Sequence, residues 1–111
     1  MSKYDDIVQA AAKQYNVDPA LIRGVISTES SGNPAAVSSK GATGLMQIDP
    51  SNYKSLGITD PTDPKQNIFG GTQLLSQLLD RFGDVPTALT HYVGGDDPKQ
   101  WGPQTAAYPS K

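Results

Sequence analysis

Glu29 closes an apolar run, Leu21, Ile22, Val25 and Ile26, and opens the polar stretch Glu-Ser-Ser-Gly-Asn-Pro; Gly-Ala-Thr-Gly-Leu-Met-Gln follows at residues 41–47. It stands four residues after Val25 and three after Ile26, so on a helix it continues their face. Two effects raise the pKa of a carboxyl so placed. Partial burial penalises the charged form, and the C-terminal end of a helix carries partial negative charge. A carboxyl that keeps its proton near neutral pH is a general-acid candidate, the kind of group that cleavage of a glycosidic bond requires. The plainer alternative is a solvated glutamate at a helix end, and spacing alone leaves both readings open.

A conventional glycosidase pairs two carboxylates. Asp49, Asp60 and Asp63 are the possible partners of Glu29. Asp60 and Asp63 adjoin prolines, where turn formation and capping account for them, whereas Asp49, two residues after Gln47, is placed to face a cleft. Their spacing marks none of the three as a second catalytic group. Other schemes fare worse. A Ser-His-Asp triad would need His91, the only histidine, yet no serine sits in a Gly-x-Ser-x-Gly elbow, so His91 reads as a surface or packing residue. Asp96-Asp97 reads as solvated loop rather than a cation site.

Composition narrows the classes further. The 111 residues suffice for one compact domain with one core; 36% are hydrophobic and 18% charged, a folded, soluble balance. The net charge of -2, without a dense basic cluster, argues against a nucleic-acid partner. The absence of cysteine excludes disulfides, thiolate metal sites and a cysteine nucleophile, and one histidine excludes a multi-histidine metal site, so no metal and no cofactor is expected. No apolar stretch approaches the roughly 20 residues that span a bilayer, which argues against membrane insertion. The start, Met-Ser-Lys-Tyr-Asp-Asp-Ile, lacks the pattern of a signal peptide; the expectation is another route to the target, or an export signal already removed.

The positioning elements follow from periodicity and caps. Residues 4–15 form a helix with Ile7, Val8, Ala11, Ala12 and Tyr15 on one face. Residues 19–30 form a second, with Asp18 as N-cap, Pro19 at its first position and Gly32 as its stop. Residues 35–43 are loop. Gly44 to Leu56 is expected as a third helix in spite of Pro50. Asp63-Pro64 repeats the cap-plus-proline signal and opens a long helix to Phe82, with Ile68, Leu74, Leu75, Leu78, Leu79 and Phe82 as its apolar set; Gly70 and Gly71 within it suggest close approach of another backbone, a weak helix being the plainer alternative. A short helix covers 85–93, and 94–102 is loop. The fold class is all-α, a single domain of five or six helices.

These ordered motifs resemble the SLT-type catalytic domain of lytic transglycosylases. The residues that carry the resemblance are Glu29-Ser30-x-x-Asn33-Pro34, Ser38, Gly41-Ala42-x-Gly44-Leu45-Met46-Gln47, Asp63-Pro64-x-x-Asn67-Ile68-x-Gly70-Gly71, Phe82-Gly83, Ala88-Leu89 and Thr105-x-x-Tyr108. It covers about residues 5 to 108, and several motifs in order make it far more specific than one short pattern. It implies a lysozyme-like fold related to goose-type lysozyme. It implies non-hydrolytic cleavage of the β-1,4 bond between N-acetylmuramic acid and N-acetylglucosamine in peptidoglycan, leaving 1,6-anhydro ends. Family members use one catalytic glutamate, which maps onto Glu29 and accounts for the missing second carboxylate. By the same resemblance Ser38, Gln47, Tyr92 and Tyr108 bind substrate or flank the acid. Against these stand a turn role for Ser38 and a polar helix position for Gln47. Leu45 and Met46 read as packing residues; Trp101 either stacks on a sugar or anchors its loop.

The chain departs from the family pattern at three places. Tyr92-Val93-Gly94-Gly95 stands for Tyr-Asn-Ala-Gly, Asp49 occupies a usually apolar position, and the chain stops three residues after Tyr108, where relatives continue into a final helix. The small size, this ending and the lack of a signal peptide lead to the expectation of a phage-encoded, virion-associated enzyme acting on the cell wall in the periplasm, monomeric as an isolated domain; a periplasmic bacterial enzyme without its leader is the alternative. The rival functions are a hydrolytic muramidase on the same fold and a non-catalytic peptidoglycan-binding module.

Overall fold

The computed structural model describes residues 4–94. It divides into two compact units, one through Gln73 and one from Leu74 onward. The first holds α1 (Asp5–Tyr15), α2 (Pro19–Ser30), a 3-10 turn at Pro50–Asn52, α3 (Tyr53–Leu56) and the first half of α4 (Pro64–Phe82). The second holds the rest of α4 and α5 (Val85–Gly94). No strand ladder forms among the described residues, only two isolated antiparallel bridges, Val37 with Thr43 and Thr43 with Ile48.

Asp-Pro sets where elements begin. Asp18 accepts the Ala20 N–H at 2.9 Å ahead of Pro19; Asp63 accepts the Gln66 N–H at 3.2 Å ahead of Pro64. In each pair the carboxylate satisfies a helix-end donor and the proline needs none. A third pair, Asp49-Pro50, opens the 3-10 turn, with Asp49 accepting the Ser51 N–H at 2.9 Å. α1 ends on Asn16 and α2 on Ser31, both left-handed, with φ of 55° and 53°.

In the first unit α1 packs on α2. Val8, Ala11 and Ala12 of α1 and Ile22, Val25 and Ile26 of α2 are buried, as are Val17, Leu45, Met46, Ile48, Ile58 and Ile68. Arg23 pairs with Asp5 at 3.0 Å across these helices; so exposed a pair adds about 0–1 kcal/mol. In the second unit Leu75, Leu78 and Ala88 are buried. There His91 stacks on Phe82 with ring centroids 4.0 Å apart and shares a hydrogen bond with the Thr87 carbonyl through Nδ1, the packing histidine that its sequence context suggests.

Two expectations need correction. Gly44–Leu56 is not one helix. Thr43 and Ile48 exchange both backbone hydrogen bonds at 3.1 Å, closing a tight hairpin over 44–47. Gly44 and Gln47 take φ of 88° and 51°, outside the helical region, and Pro50 can extend no helix through its missing N–H. Helix returns only at Pro50–Leu56, as a 3-10 turn running into four residues of α3. Secondly, what crowds Gly70 and Gly71 is side chain, not backbone. A Cβ on Gly70 would lie 2.6 Å from Ile58 Cδ1, and one on Gly71 2.5 Å from Met46 Sδ.

Thr72, one position on from this contact, is fully buried on α4, and among the described residues its Oγ1 has no hydrogen-bond partner. A stranded buried hydroxyl costs about 1–3 kcal/mol. Thr72→Val keeps the branched shape and removes the stranded oxygen. It is expected to stabilise the protein by about 1 kcal/mol, raising the thermal midpoint by roughly 4 °C or more in a calorimetric or circular-dichroism melt.

Candidate functional site

Glu29 is the only glutamate in the chain and the penultimate residue of α2. It is half-buried, at the helix end where carbonyl groups point outward. Ser30 fixes the exit of the chain from that helix. Its buried hydroxyl donates to the Ile26 carbonyl at 3.1 Å and accepts the Gly32 N–H at 3.1 Å. Asn33 then closes a turn through Oδ1, which accepts the Ala35 N–H at 3.0 Å. The chain is thus reversed immediately after the candidate acid and led into the segment 36–48.

That segment is held by a dense set of bonds. The Ala36 carbonyl accepts the Gly44 N–H at 2.8 Å and the Gln47 side-chain amide at 2.9 Å. Gln47 Nε2 also donates to the Gly44 carbonyl at 3.0 Å. Both amide hydrogens of Gln47 therefore serve its own loop, and among the described residues Oε1 takes no hydrogen bond. Gln47 is not the polar helix residue that the expected helix would make it; it is left-handed, at a cost of about 1 kcal/mol, and its side chain holds that geometry in place. Ser38 is exposed. Its Oγ accepts the Lys40 and Ala42 N–H groups at 3.3 and 3.1 Å, while its own N–H donates to the Ala42 carbonyl at 2.8 Å. The turn role of Ser38 is real, and neither Oγ bond uses the hydroxyl proton.

The residue whose role the motif reading left blank is Asn67. It is fully buried on α4, and its amide accepts the Met46 N–H at 2.7 Å and donates to the carbonyls of Thr43 at 2.9 Å and Pro61 at 2.8 Å. Its sequence signal was present, an asparagine among apolar positions of an amphipathic helix, but its partners lie 21 and 24 residues away in the hairpin.

The aspartates considered beside Glu29 are all otherwise engaged. Asp49 caps the 3-10 turn, bonding the Ser51 N–H and its hydroxyl. Asp63 caps α4. Asp60 accepts the Thr62 hydroxyl at 2.7 Å and its N–H at 3.0 Å; these two bonds, the hydroxyl first, hold its carboxyl below the usual range, so it stays ionised and is a poor proton donor. Among the described residues no three His, Cys, Asp or Glu side chains gather as a metal site requires.

Glu29, Ser38 and Gln47 thus fall in one compact unit, the last two in a single bonded segment. Tyr92 is half-buried on α5, in the other unit, with Val93 and Gly94 completing that helix. Tyr108, Trp101 and Asp96-Asp97 lie outside the described residues.

The fold has solved counterparts. The chain superposes on the 70-kDa soluble lytic transglycosylase of Escherichia coli with a TM-score of 0.74 and 26% identity, over 95% of this chain and 19% of that one. A complex of the 70-kDa soluble lytic transglycosylase with bulgecin A gives a TM-score of 0.77 at 25% identity, over 96% of this chain and 19% of that one. The fold is accordingly the lysozyme-like helical fold of those enzymes. The family described as "Transglycosylase SLT domain" matches residues 6–110, and the chain belongs to that family. Among its relatives are the transglycosylase of Enterobacteria phage PRD1, 54% identical over 106 residues (96% of this chain, 40% of that protein), and membrane-bound lytic murein transglycosylase E of Buchnera aphidicola, 40% identical over 93 residues (74% of this chain, 42% of that protein). The chain thus spans about two fifths of the length of these relatives.

Proposed function

We propose that the protein is a peptidoglycan lytic transglycosylase, acting as a single, monomeric catalytic domain on glycan strands of the bacterial cell wall. Glu29 is the only catalytic carboxyl. The observation that carries this reading is the exhaustion of alternatives: the chain has one glutamate, and Asp49, Asp60 and Asp63 are committed to caps and turns. A two-carboxylate hydrolase has no second group to call on among them.

In the proposed reaction the Glu29 acid donates its proton to the bridging oxygen between N-acetylmuramic acid and N-acetylglucosamine. The bond from the anomeric carbon to that oxygen breaks, and the substrate's own 2-acetamido group stabilises the positive charge left behind. The Glu29 carboxylate then takes the proton of the 6-hydroxyl, and that oxygen closes on the anomeric carbon. The acid is regenerated, no water is consumed, and the product ends in a 1,6-anhydro ring. Gln47 Oε1 and the Ser38 hydroxyl proton are the ligand-facing groups of the hairpin segment, an acceptor and a donor suited to the amide and hydroxyl groups of an N-acetyl sugar. Tyr92 and Tyr108 complete the proposed set. The likeness to the PRD1 protein supports a phage-encoded enzyme; its carriage to the wall on the virion is part of the proposal.

Mass spectrometry of muropeptides released from purified sacculi tests this. Products lighter by one water than the hydrolysed forms are expected. Reducing-end muramic acid alone would make the protein a muramidase, and binding to sacculi without release would make it a wall-binding module.

A further inference from the structure

We propose that Asn67 is a positioning residue of this site, holding the hairpin that carries Gln47 in its ligand-ready form; this rests on the function proposed above. Asn67 is fully buried in a core where an apolar side chain would pack without desolvating an amide. Its polarity is matched group by group to the backbone of another segment. Oδ1 takes the Met46 N–H, one residue before Gln47, and Nδ2 takes the Thr43 carbonyl, one residue before Gly44. The same Nδ2 reaches the Pro61 carbonyl in the approach to α4. Asn67 therefore grips the hairpin at the entry to its four-residue loop and again within it, and ties it to the approach to α4.

Gly44 shows how closely the two are fitted. A Cβ there would run into Asn67 Nδ2 and the Pro61 carbonyl, so a missing side chain at 44 admits the amide at 67. The amide is the one side chain of this size that offers both the donors and the acceptor. Leucine would remove the acceptor that Asn67 gives the Met46 N–H, and a carboxylate would set an oxygen against two carbonyls. Gln47 is held in its left-handed state from two sides, by its own bonds to Ala36 and Gly44 and by Asn67 through the neighbouring peptide. Loss of Asn67 should therefore act on catalysis through Gln47.

The test compares Asn67→Ser, in which a hydroxyl and an admitted water partly satisfy the freed groups, with Val8→Ala, a cavity in α1 remote in sequence from the hairpin. Both are assayed well below their melting ranges on soluble glycan strands. The expected result is a loss of about tenfold or more in kcat/KM for Asn67→Ser and less than about twofold for Val8→Ala. On a Gln47→Ala background the Asn67→Ser loss should shrink to under about threefold, since the path through Gln47 is already gone. Amide hydrogen exchange at Met46 should quicken at least about tenfold in Asn67→Ser, while α1 amides stay unchanged. Equal activity losses in the two single variants, fully multiplicative losses in the double variant, or an unchanged Met46 amide would each overturn the proposal. If the unaltered protein releases no product, the functional reading fails, and the Met46 exchange rate alone decides whether Asn67 holds the hairpin. Should Asn67→Ser not fold, Asn67→Asp, which keeps the acceptor for Met46, takes its place in the same measurements.

Discussion

Glu29→Gln is expected to lower the release of anhydro-muropeptides by at least about 10³-fold while moving the thermal midpoint by less than about 2 °C. The size follows from the double duty of this carboxyl. General acid and general base assistance each contribute about 10²–10⁴-fold, and in the proposed reaction one group supplies both in turn. An amide of the same shape can still accept and donate hydrogen bonds, but it can neither release a proton to the leaving oxygen nor remove one from the 6-hydroxyl. No neighbour in sequence can substitute. The chain has no other glutamate, and Asp49 and Asp63, the aspartates bracketing the hairpin and α4, are held as caps. The fold should barely register the change, because Glu29 lies half-buried at a helix end, glutamine keeps its shape and hydrogen-bonding reach, and Ser30 fixes the exit of that helix. Retention of more than about a tenth of the activity would mean that Glu29 is not the acid. A large fall in melting temperature would mean that the residue is structural first.

What the sequence made legible, and what it hid, divides along the range of the interactions involved. α1, α2 and α4 could be read because their causes are local. An apolar period within one helix specifies all three, an aspartate cap with a proline at the first turn marks where α2 and α4 begin, and the bounds Asp5–Tyr15, Pro19–Ser30 and Pro64–Phe82 follow closely. The hairpin could not be read that way. Leu45, Met46 and Ile48 supply an apolar run that a helix would equally accept, and all three are buried. What turns it into a hairpin is a partner on α4, since Asn67 satisfies the groups that a helix would have satisfied itself. The same limit applies to Gln47 and Ser38. Their residue types suit sugar recognition, yet only coordinates reveal that Gln47 uses both amide hydrogens at home and that the Ser38 oxygen anchors a turn. Glu29 is the reverse case: its place at the end of the Val25–Ile26 face is local and could be read, and Asp49, Asp60 and Asp63 each bond in a cap or turn.

Two glycine-to-alanine changes should move stability in opposite directions, and the contrast isolates the hairpin as the tightest part of the site. Gly44 has φ of 88°, where an alanine is strained by about 1 kcal/mol or more. Its Cβ would also overlap Asn67 Nδ2 and the Pro61 carbonyl. The second is backbone at the approach to α4 and cannot swing aside as a side-chain tip would; relief by shifting Asn67 would break the bonds to Thr43 and Met46. Overpacking of this kind adds about 1–3 kcal/mol, so Gly44→Ala should lose about 3 kcal/mol in all, a large part of the 5–15 kcal/mol that a domain of this size commonly has. Gly24 lies within α2, is exposed, and a Cβ there meets nothing within 4 Å. Gly24→Ala should gain about 0.5–1 kcal/mol from helix propensity and a less flexible unfolded chain. Urea unfolding of the two variants beside the unaltered protein measures both. A Gly44→Ala midpoint within error of the parent would mean that the hairpin yields easily, and that Asn67 grips it less firmly than its three bonds require.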